Sequence, residues 1–213
     1  MSDELVFYTH PMSRGRIVRW MLEELGQPYR TEILDYGTTM KAPAYLAINP
    51  MGKVPALRHG EVVVTEAAAI CAYLADAFPE AGLAPPPGDP RRGAYYRWMF
   101  YAAGPMEGAT TAHGMGFQVP PERRGMAGWG SREDVMKALE VAVPQEGYLL
   151  GERFSAVDVY FGSHIGWGMQ FGSIEKLPVL ERYFERIQRR PASVRAREID
   201  DALTPAQPQA AAG

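Results

Sequence analysis

The sequence predicts an α/β domain followed by an all-helical domain. Three observations carry this. Residues 5–34 read as strand, amphipathic helix and strand, and residues 54–78 read as a tight hairpin running straight into a helix. Past a proline-rich segment at 79–90, strand signal all but disappears. The 213 residues can hold two small domains with ample core.

Leu5-Val6-Phe7-Tyr8 is a compact apolar strand that ends in Thr9-His10-Pro11. From Arg14 to Leu25 the apolar residues Ile17, Val18, Met21, Leu22 and Leu25 form one helical stripe. Gly26 suits a left-handed helix end, and Pro28 prevents continuation. Tyr29 to Leu34 is the second strand. A strand, a crossover helix and a strand make a βαβ unit, so these two strands run parallel. Met40 to Ala47 is a short helix. Ala56-Leu57-Arg58 and Glu61-Val62-Val63-Val64 are two strands joined through His59-Gly60. Thr65 is a good N-cap for a helix that opens with Glu66 and Ala67 and reaches about Phe78.

Pro79 to Pro90 holds five prolines and two glycines in twelve residues, a composition that fits a semi-rigid linker. Beyond it, Arg91 to about His113 looks helical. Ser131-Arg-Glu-Asp134 and Ser155-Ala-Val-Asp158 are acidic capping boxes, each ahead of a helix, the second reaching about Phe171. Leu177 to Arg190 carries Leu180, Tyr183, Phe184 and Ile187 on one face, with Pro191 as its limit. The expected boundaries are therefore 1–79 for the α/β domain, 80–90 for the linker, 91–200 for the helical domain and 201–213 for a disordered tail.

Composition narrows function. Hydrophobic residues make up 46% and charged residues 22%, an ordinary globular balance, and the net charge of -3 gives no nucleic-acid or membrane footprint. The single cysteine, Cys71, excludes an internal disulfide and any CxxC redox or zinc site. It falls on the apolar face of its helix and reads as core. Met-Ser-Asp-Glu lacks the basic and apolar regions of a signal peptide, and no apolar run is long enough for a membrane span. A cytoplasmic location is expected, with no metal.

The start of the helix after the hairpin offers unpaired N–H groups and partial positive charge to a carboxylate, with the backbone of Val54 ahead of Pro55 beside it. The order Val54-Pro55, hairpin, Glu66-Ala67 and helix resembles the glutathione-binding half of the glutathione S-transferases. The Phe154-Ser155-Ala156-Val157-Asp158 box and the Arg190-Pro191-Ala192 ending are similar to that family's helical domain. The resemblance covers residues 4 to 198. It implies a thioredoxin-like first domain, a cis Val54–Pro55 bond, reduced glutathione as co-substrate, a small apolar electrophile as second substrate, and a homodimer.

The resemblance also implies roles. The backbone of Val54 pairs with the cysteinyl part of glutathione, Glu66 takes the γ-glutamyl ammonium, and the N–H of Ala67 takes the neighbouring carboxylate. Ala67 stands where most members have serine, so one hydroxyl contact is missing. Lys53 suits the glycyl carboxylate. Pro11, Met12, Tyr96, Met99, Phe100, Met106 and His113 are the candidates for the electrophile side.

Making a thiolate from a thiol of pKa about 8.5 needs about 2.7 kcal/mol for a shift of two units. One or two charge-assisted hydrogen bonds, at about 1.5–3 kcal/mol each, supply that. Ser13 stands at the cap of the first helix, like the catalytic serine of the theta- and delta-like classes. Tyr8 stands in the first strand, like the catalytic tyrosine of the alpha, mu and pi classes. Thr9 and backbone donors are further alternatives. A glutathione-dependent peroxidase or disulfide reductase on the same fold, and a non-catalytic binding module, are the competing readings.

Overall fold

The computed structural model describes residues 4–204. Its elements run β1 (Leu5–Thr9), α1 (Gly15–Leu25), β2 (Tyr29–Ile33), α2 (Pro43–Leu46), β3 (Ala56–His59), β4 (Val62–Thr65) and α3 (Ala67–Ala77), followed by α4 (Arg91–Tyr101), α5 (Glu107–Gly114), α6 (Arg132–Ala142), α7 (Ala156–Phe171), α8 (Pro178–Gln188) and α9 (Pro191–Ala202). This is a thioredoxin-like α/β half with a helical half. The described residues fall into two compact units, one drawn from 1–66 and 191–213, the other comprising 67–190.

The first unit is built on a four-stranded sheet of order β2-β1-β3-β4. β1 pairs in parallel with β2, as the crossover through α1 requires, and antiparallel with β3, which pairs antiparallel with β4. β1 is central and buried along its whole length, which is why it reads as an unbroken apolar run. Val6 and Tyr8 pack with Met40, Tyr45 and Ala56, flanked by Leu34, Ile48 and Val54.

α1 turns its apolar stripe inward and closes on Gly26, which is left-handed (φ 68°) and donates its N–H to the Leu22 carbonyl at 3.1 Å. One charged residue joins that buried face. Arg19 donates to Asp200 of α9 at 2.7 Å, to the Tyr29 hydroxyl at 3.1 Å and to the Thr31 hydroxyl at 3.2 Å. Its guanidinium carbon lies 5.2 Å from the centre of the Phe7 ring.

α8 ends at Gln188, short of Pro191 as expected, and a further helix, α9, follows it. Pro191 opens a new twelve-residue helix, a position that suits proline because the first N–H of a helix has no partner to lose. Asp201 and Ala202, expected to begin the disordered tail, complete α9. Residues 205–213, the rest of that tail, lie outside the described residues.

In the second unit the stretch expected to be helical, 91 to about 113, is helical throughout but changes its winding in the middle. Ala102–Met106 is a π-helical turn with Pro105 inside it. Proline has no N–H to donate, so the α-helical ladder slips there and resumes at Glu107. The Ser155 box forms in full, with the Ser155 N–H donating to Asp158 Oδ2 at 3.0 Å, whereas at Ser131 the cap is one-sided: the Asp134 N–H donates to Ser131 Oγ at 3.1 Å and the Asp134 carboxylate accepts from the Ser131 hydroxyl at 2.8 Å.

Asp158 does more than cap. Its other oxygen accepts from the Leu149 N–H at 2.9 Å and the Tyr183 hydroxyl at 2.8 Å, with no exposure to solvent. It therefore ties a loop, the start of α7 and the middle of α8 together. Burial pushes its carboxyl above the ordinary value even against those hydrogen bonds. α7 is buried almost throughout and meets α8 through small residues, with Gly162 against Ile187 and Gly166 against the Phe184 ring.

Candidate functional site

The sheet register gathers one end of three strands. Tyr8 of β1 lies opposite Ala56 of β3, which lies opposite Thr65 of β4. The residues just beyond this row are Thr9 and the turn to Ser13, the Val54–Pro55 bond, and Glu66. Neighbouring strands are about 4.8 Å apart, so the row from β1 to β4 spans about 10 Å. That is the reach of about three extended residues.

The turn after β1 is held from several sides. Ser13 Oγ donates to the His10 carbonyl at 2.7 Å and accepts the Gly15 N–H at 2.9 Å. The hydroxyl thus caps the first turn of α1 from one residue ahead of the formal cap, Arg14, whose own side chain contributes no cap bond. Gly15 is the only residue type that fits here: an added Cβ would collide with the hydroxyl of buried Thr9. The Met12 N–H donates to His10 Nδ1 at 3.1 Å, which leaves the proton of a neutral imidazole on Nε2. The Tyr36 ring lies 4.6 Å from the His10 ring, and its hydroxyl donates to the Met12 carbonyl at 3.3 Å. Arg16 donates through Nε to the Pro11 carbonyl.

Tyr8 points into the sheet core, 9% exposed, with its ring 5.7 Å from that of Tyr45. Ser13 is half-buried at the turn. Of the two residues, Ser13 is the more exposed.

Val54–Pro55 is cis. The chain before it is clamped by residues that sequence reading missed. The Tyr45 hydroxyl and Asn49 Nδ2 both donate to the Lys53 carbonyl, at 2.6 and 2.8 Å. Lys41 Nζ donates to the carbonyls of Met51 and Gly52 at 3.1 and 2.8 Å. Burial raises the Tyr45 phenol to about 12, so it stays a donor at any working pH. Gly52 has φ 57°, and a Cβ there would sit 2.7 Å from the Met40 carbonyl oxygen. The side chain of Lys53 is left exposed while its backbone is fixed.

Glu66 corrects the expected helix start. It stands ahead of α3, which begins at Ala67, and leaves the first turn with no acidic residue. Its φ is 68°, the left-handed region that non-glycine residues avoid, and among the described residues no other non-glycine residue has a positive φ. The side chain is exposed. A dipole-stabilising acid would sit in regular helix. An acid held in strained backbone ahead of the helix points to a demand on its position.

The electrophile candidates divide. Pro11 is buried in the turn, while Met12 is 58% exposed. In the helical unit Met99 and Met106 are packed inside, at 2% and 0% exposure, and offer a ligand no surface. Tyr96, Phe100 and His113 are exposed, with the Tyr96 and Phe100 rings 6.4 Å apart. Cys71 is fully buried and its thiol is pushed up by burial alone, which makes it inert. Among the described residues no group of three or more His, Cys, Asp or Glu could hold a metal ion, and no helix is long and apolar enough to cross a membrane.

Residues 12–77 match the glutathione S-transferase N-terminal domain, and residues 130–191 match the C-terminal domain of the same family. Glutathione S-transferase GstA of Escherichia coli O157:H7 is 28% identical over 162 residues, 75% of this chain and 77% of its own. A glutathione transferase of Methylococcus capsulatus has a solved structure with a TM-score of 0.75 and 29% identity, over 93% of this chain and 99% of its own. A glutathione transferase homolog from Sulfitobacter, solved with bound glutathione, gives a TM-score of 0.73 and 26% identity, over 95% of this chain and 100% of its own. Fold and site define a thioredoxin-like half coupled to a helical half. The chain belongs to the glutathione S-transferase family.

Proposed function

We propose that this protein binds reduced glutathione along the row of strand ends and conjugates its sulfur to a small apolar electrophile. The single observation that carries the reading is the register that aligns Tyr8, Ala56 and Thr65. It supports the reading by bringing the turn that leads to Ser13, the Val54–Pro55 bond and Glu66 to the same end of the sheet. In this assignment Lys53 faces the glycyl carboxylate and Val54 pairs with the cysteinyl backbone. Glu66 takes the ammonium, and the Ala67 N–H at the start of α3 takes the γ-glutamyl carboxylate.

Ser13 is assigned to the sulfur. Its hydroxyl now donates to the His10 carbonyl, so activation is a rotation of one hydroxyl while the Gly15 N–H continues to donate to its oxygen. The thiol proton passes to water. The thiolate then forms a C–S bond as the leaving group departs with its electron pair. Met12, Tyr96, Phe100 and His113 are the electrophile candidates with surface to offer.

In functional terms residues 1–79 form the glutathione half and 91–200 the electrophile half, joined by 80–90. Homodimers, a cytoplasmic location and a role in detoxification belong to the same proposal and rest on the family resemblance.

The test is Ser13→Ala. The pKa of bound glutathione, read from thiolate absorbance against pH, should rise by about one to two units, the worth of one charge-assisted bond. Turnover at neutral pH should fall about tenfold or more with little change in glutathione affinity. An unmoved pKa, with only about 1 kcal/mol of stability lost, would reduce Ser13 to a helix cap. A pKa that rises instead in Tyr8→Phe would transfer the role to Tyr8. Turnover of peroxides in place of electrophiles would favour the reductase reading, and affinity without turnover the binding module.

A further inference from the structure

We propose that Arg16, braced by Asp201 at the end of α9, is a positioning residue for the Ser13 turn. The inference rests on the assignment of Ser13 to the glutathione thiol. Arg16 is the second residue of α1 and reaches both ways. Its Nε donates to the Pro11 carbonyl, and its Nη2 donates to Asp201 Oδ1 at 2.7 Å and to Thr204 Oγ1 at 3.5 Å.

The turn needs such a brace. Pro11 has no N–H, so its carbonyl is the one backbone polar group by which this residue can be fixed. On one side of it His10 supplies the carbonyl that receives the Ser13 proton, and on the other Met12 donates to the His10 ring. A shift at Pro11 therefore displaces the turn from which the Ser13 hydroxyl must reach the sulfur. The charge-assisted bond from Arg16 is strong only if the guanidinium is itself held, because a free arginine has many rotamers.

Asp201 is presented by a fixed element. The adjacent Asp200 is buried against Arg19, and Arg195 of α9 donates to Glu23 of α1 at 3.2 Å. Thr204 completes the grip by donating to the Asp200 carbonyl at 2.9 Å. Asp201 itself is 58% exposed. Its replacement can thus disturb Arg16 without opening the core.

Positioning and plain electrostatics predict opposite signs. Asp201→Asn removes a negative charge and leaves Arg16 in place, so a field effect would lower the pKa of bound glutathione. A loosened turn would raise it. The experiment titrates thiolate absorbance of the glutathione complex for Asp201→Asn, Asp201→Glu and Ser13→Ala, with turnover measured on chlorodinitrobenzene. Expected for Asp201→Asn are a raised thiol pKa, turnover down about threefold to tenfold at neutral pH, and an unchanged KM for glutathione. Asp201→Glu should restore most of the turnover. A thiol pKa that falls or stays put in Asp201→Asn, while Ser13→Ala raises it, overturns this inference alone. A thiol pKa unmoved in Ser13→Ala overturns the Ser13 assignment and this inference with it.

Discussion

Arg19 and Asp200 form an ion pair at 2.7 Å with both side chains 1% exposed, and each retains one buried atom, Nη2 and Oδ2, with no hydrogen-bond partner. The Coulombic attraction is strong in such a setting, but so is the cost of removing both charges from water. Burial outweighs the guanidinium and lifts the Asp200 carboxyl above its usual range. Asp200→Ala should therefore cost about 3–5 kcal/mol, because it strands a buried cation. The double change Arg19→Met with Asp200→Leu should recover most of that loss. Denaturant unfolding of the three chains checks this, and equal losses in the single and double variants would contradict it.

Asp158 predicts an unusual pH profile. Its folded pKa lies above the ordinary 3.8, so the folded state holds a proton that the unfolded state has released. The associated stability is complete below about pH 4 and is lost as pH rises through the raised value. Asp158→Asn should be less stable at every pH, since an amide nitrogen must face one pair of donors. The gap from the parent should be widest below about pH 4 and narrow by up to about 1.4 kcal/mol per pH unit across the window. A gap independent of pH would mean that Asp158 ionises normally when buried.

Glu66 offers a test of strain against function. Glu66→Gln should weaken glutathione binding by about 1.5–3 kcal/mol in calorimetry, through loss of a charge-assisted bond. Glu66→Gly should bind at least as poorly. It should also leave stability unchanged or raise it by up to about 1 kcal/mol, because glycine adopts the left-handed backbone freely. A marked loss of stability in Glu66→Gly would show that the acid serves the fold.

Two glycines of the helical unit should answer oppositely to alanine. At Gly166 a Cβ would run into the Phe184 ring, whereas at Gly93 in α4 it would meet open space. Gly166→Ala should cost about 1–3 kcal/mol through overpacking. Gly93→Ala should gain about 0.5–1 kcal/mol from helix propensity. Thermal unfolding of both variants decides the point.

What was legible in the sequence was local. The βαβ unit, the hairpin, the Ser155 box and the Ser131 cap are set by residues close to one another in the chain, and each is present, the Ser131 cap without the return bond of a full box. Local rules also missed some features. Pro191 limits α8 as its sequence predicts but also starts α9, which stays hidden because a proline that ends one helix looks the same as one that starts the next. Glu66 reads as the opening of the helix by sequence, since nothing in the neighbouring residues marks its left-handed backbone. The clamp of Tyr45 and Asn49 on the Lys53 carbonyl lies within eight residues but depends on folding that no periodicity encodes. Met99 and Met106 could not be separated from Phe100 and Tyr96, since apolar side chains at helical spacing serve core and pocket alike. Arg19 was invisible as core because its partner stands 181 positions away.

That separation has a consequence for synthesis. The helical unit is one continuous stretch, 67–190, and all of its segments have emerged once Arg190 leaves the ribosome. The sheet unit is begun first and finished last. Its strands exist as nascent chain for the whole time the helices are being made, and Arg19 has no counter-ion until α9 appears. The half that begins the chain thus cannot complete its buried ion pair until the helical stretch has been made, and a ribosome that stalls before Asp200 leaves Arg19 without that anion.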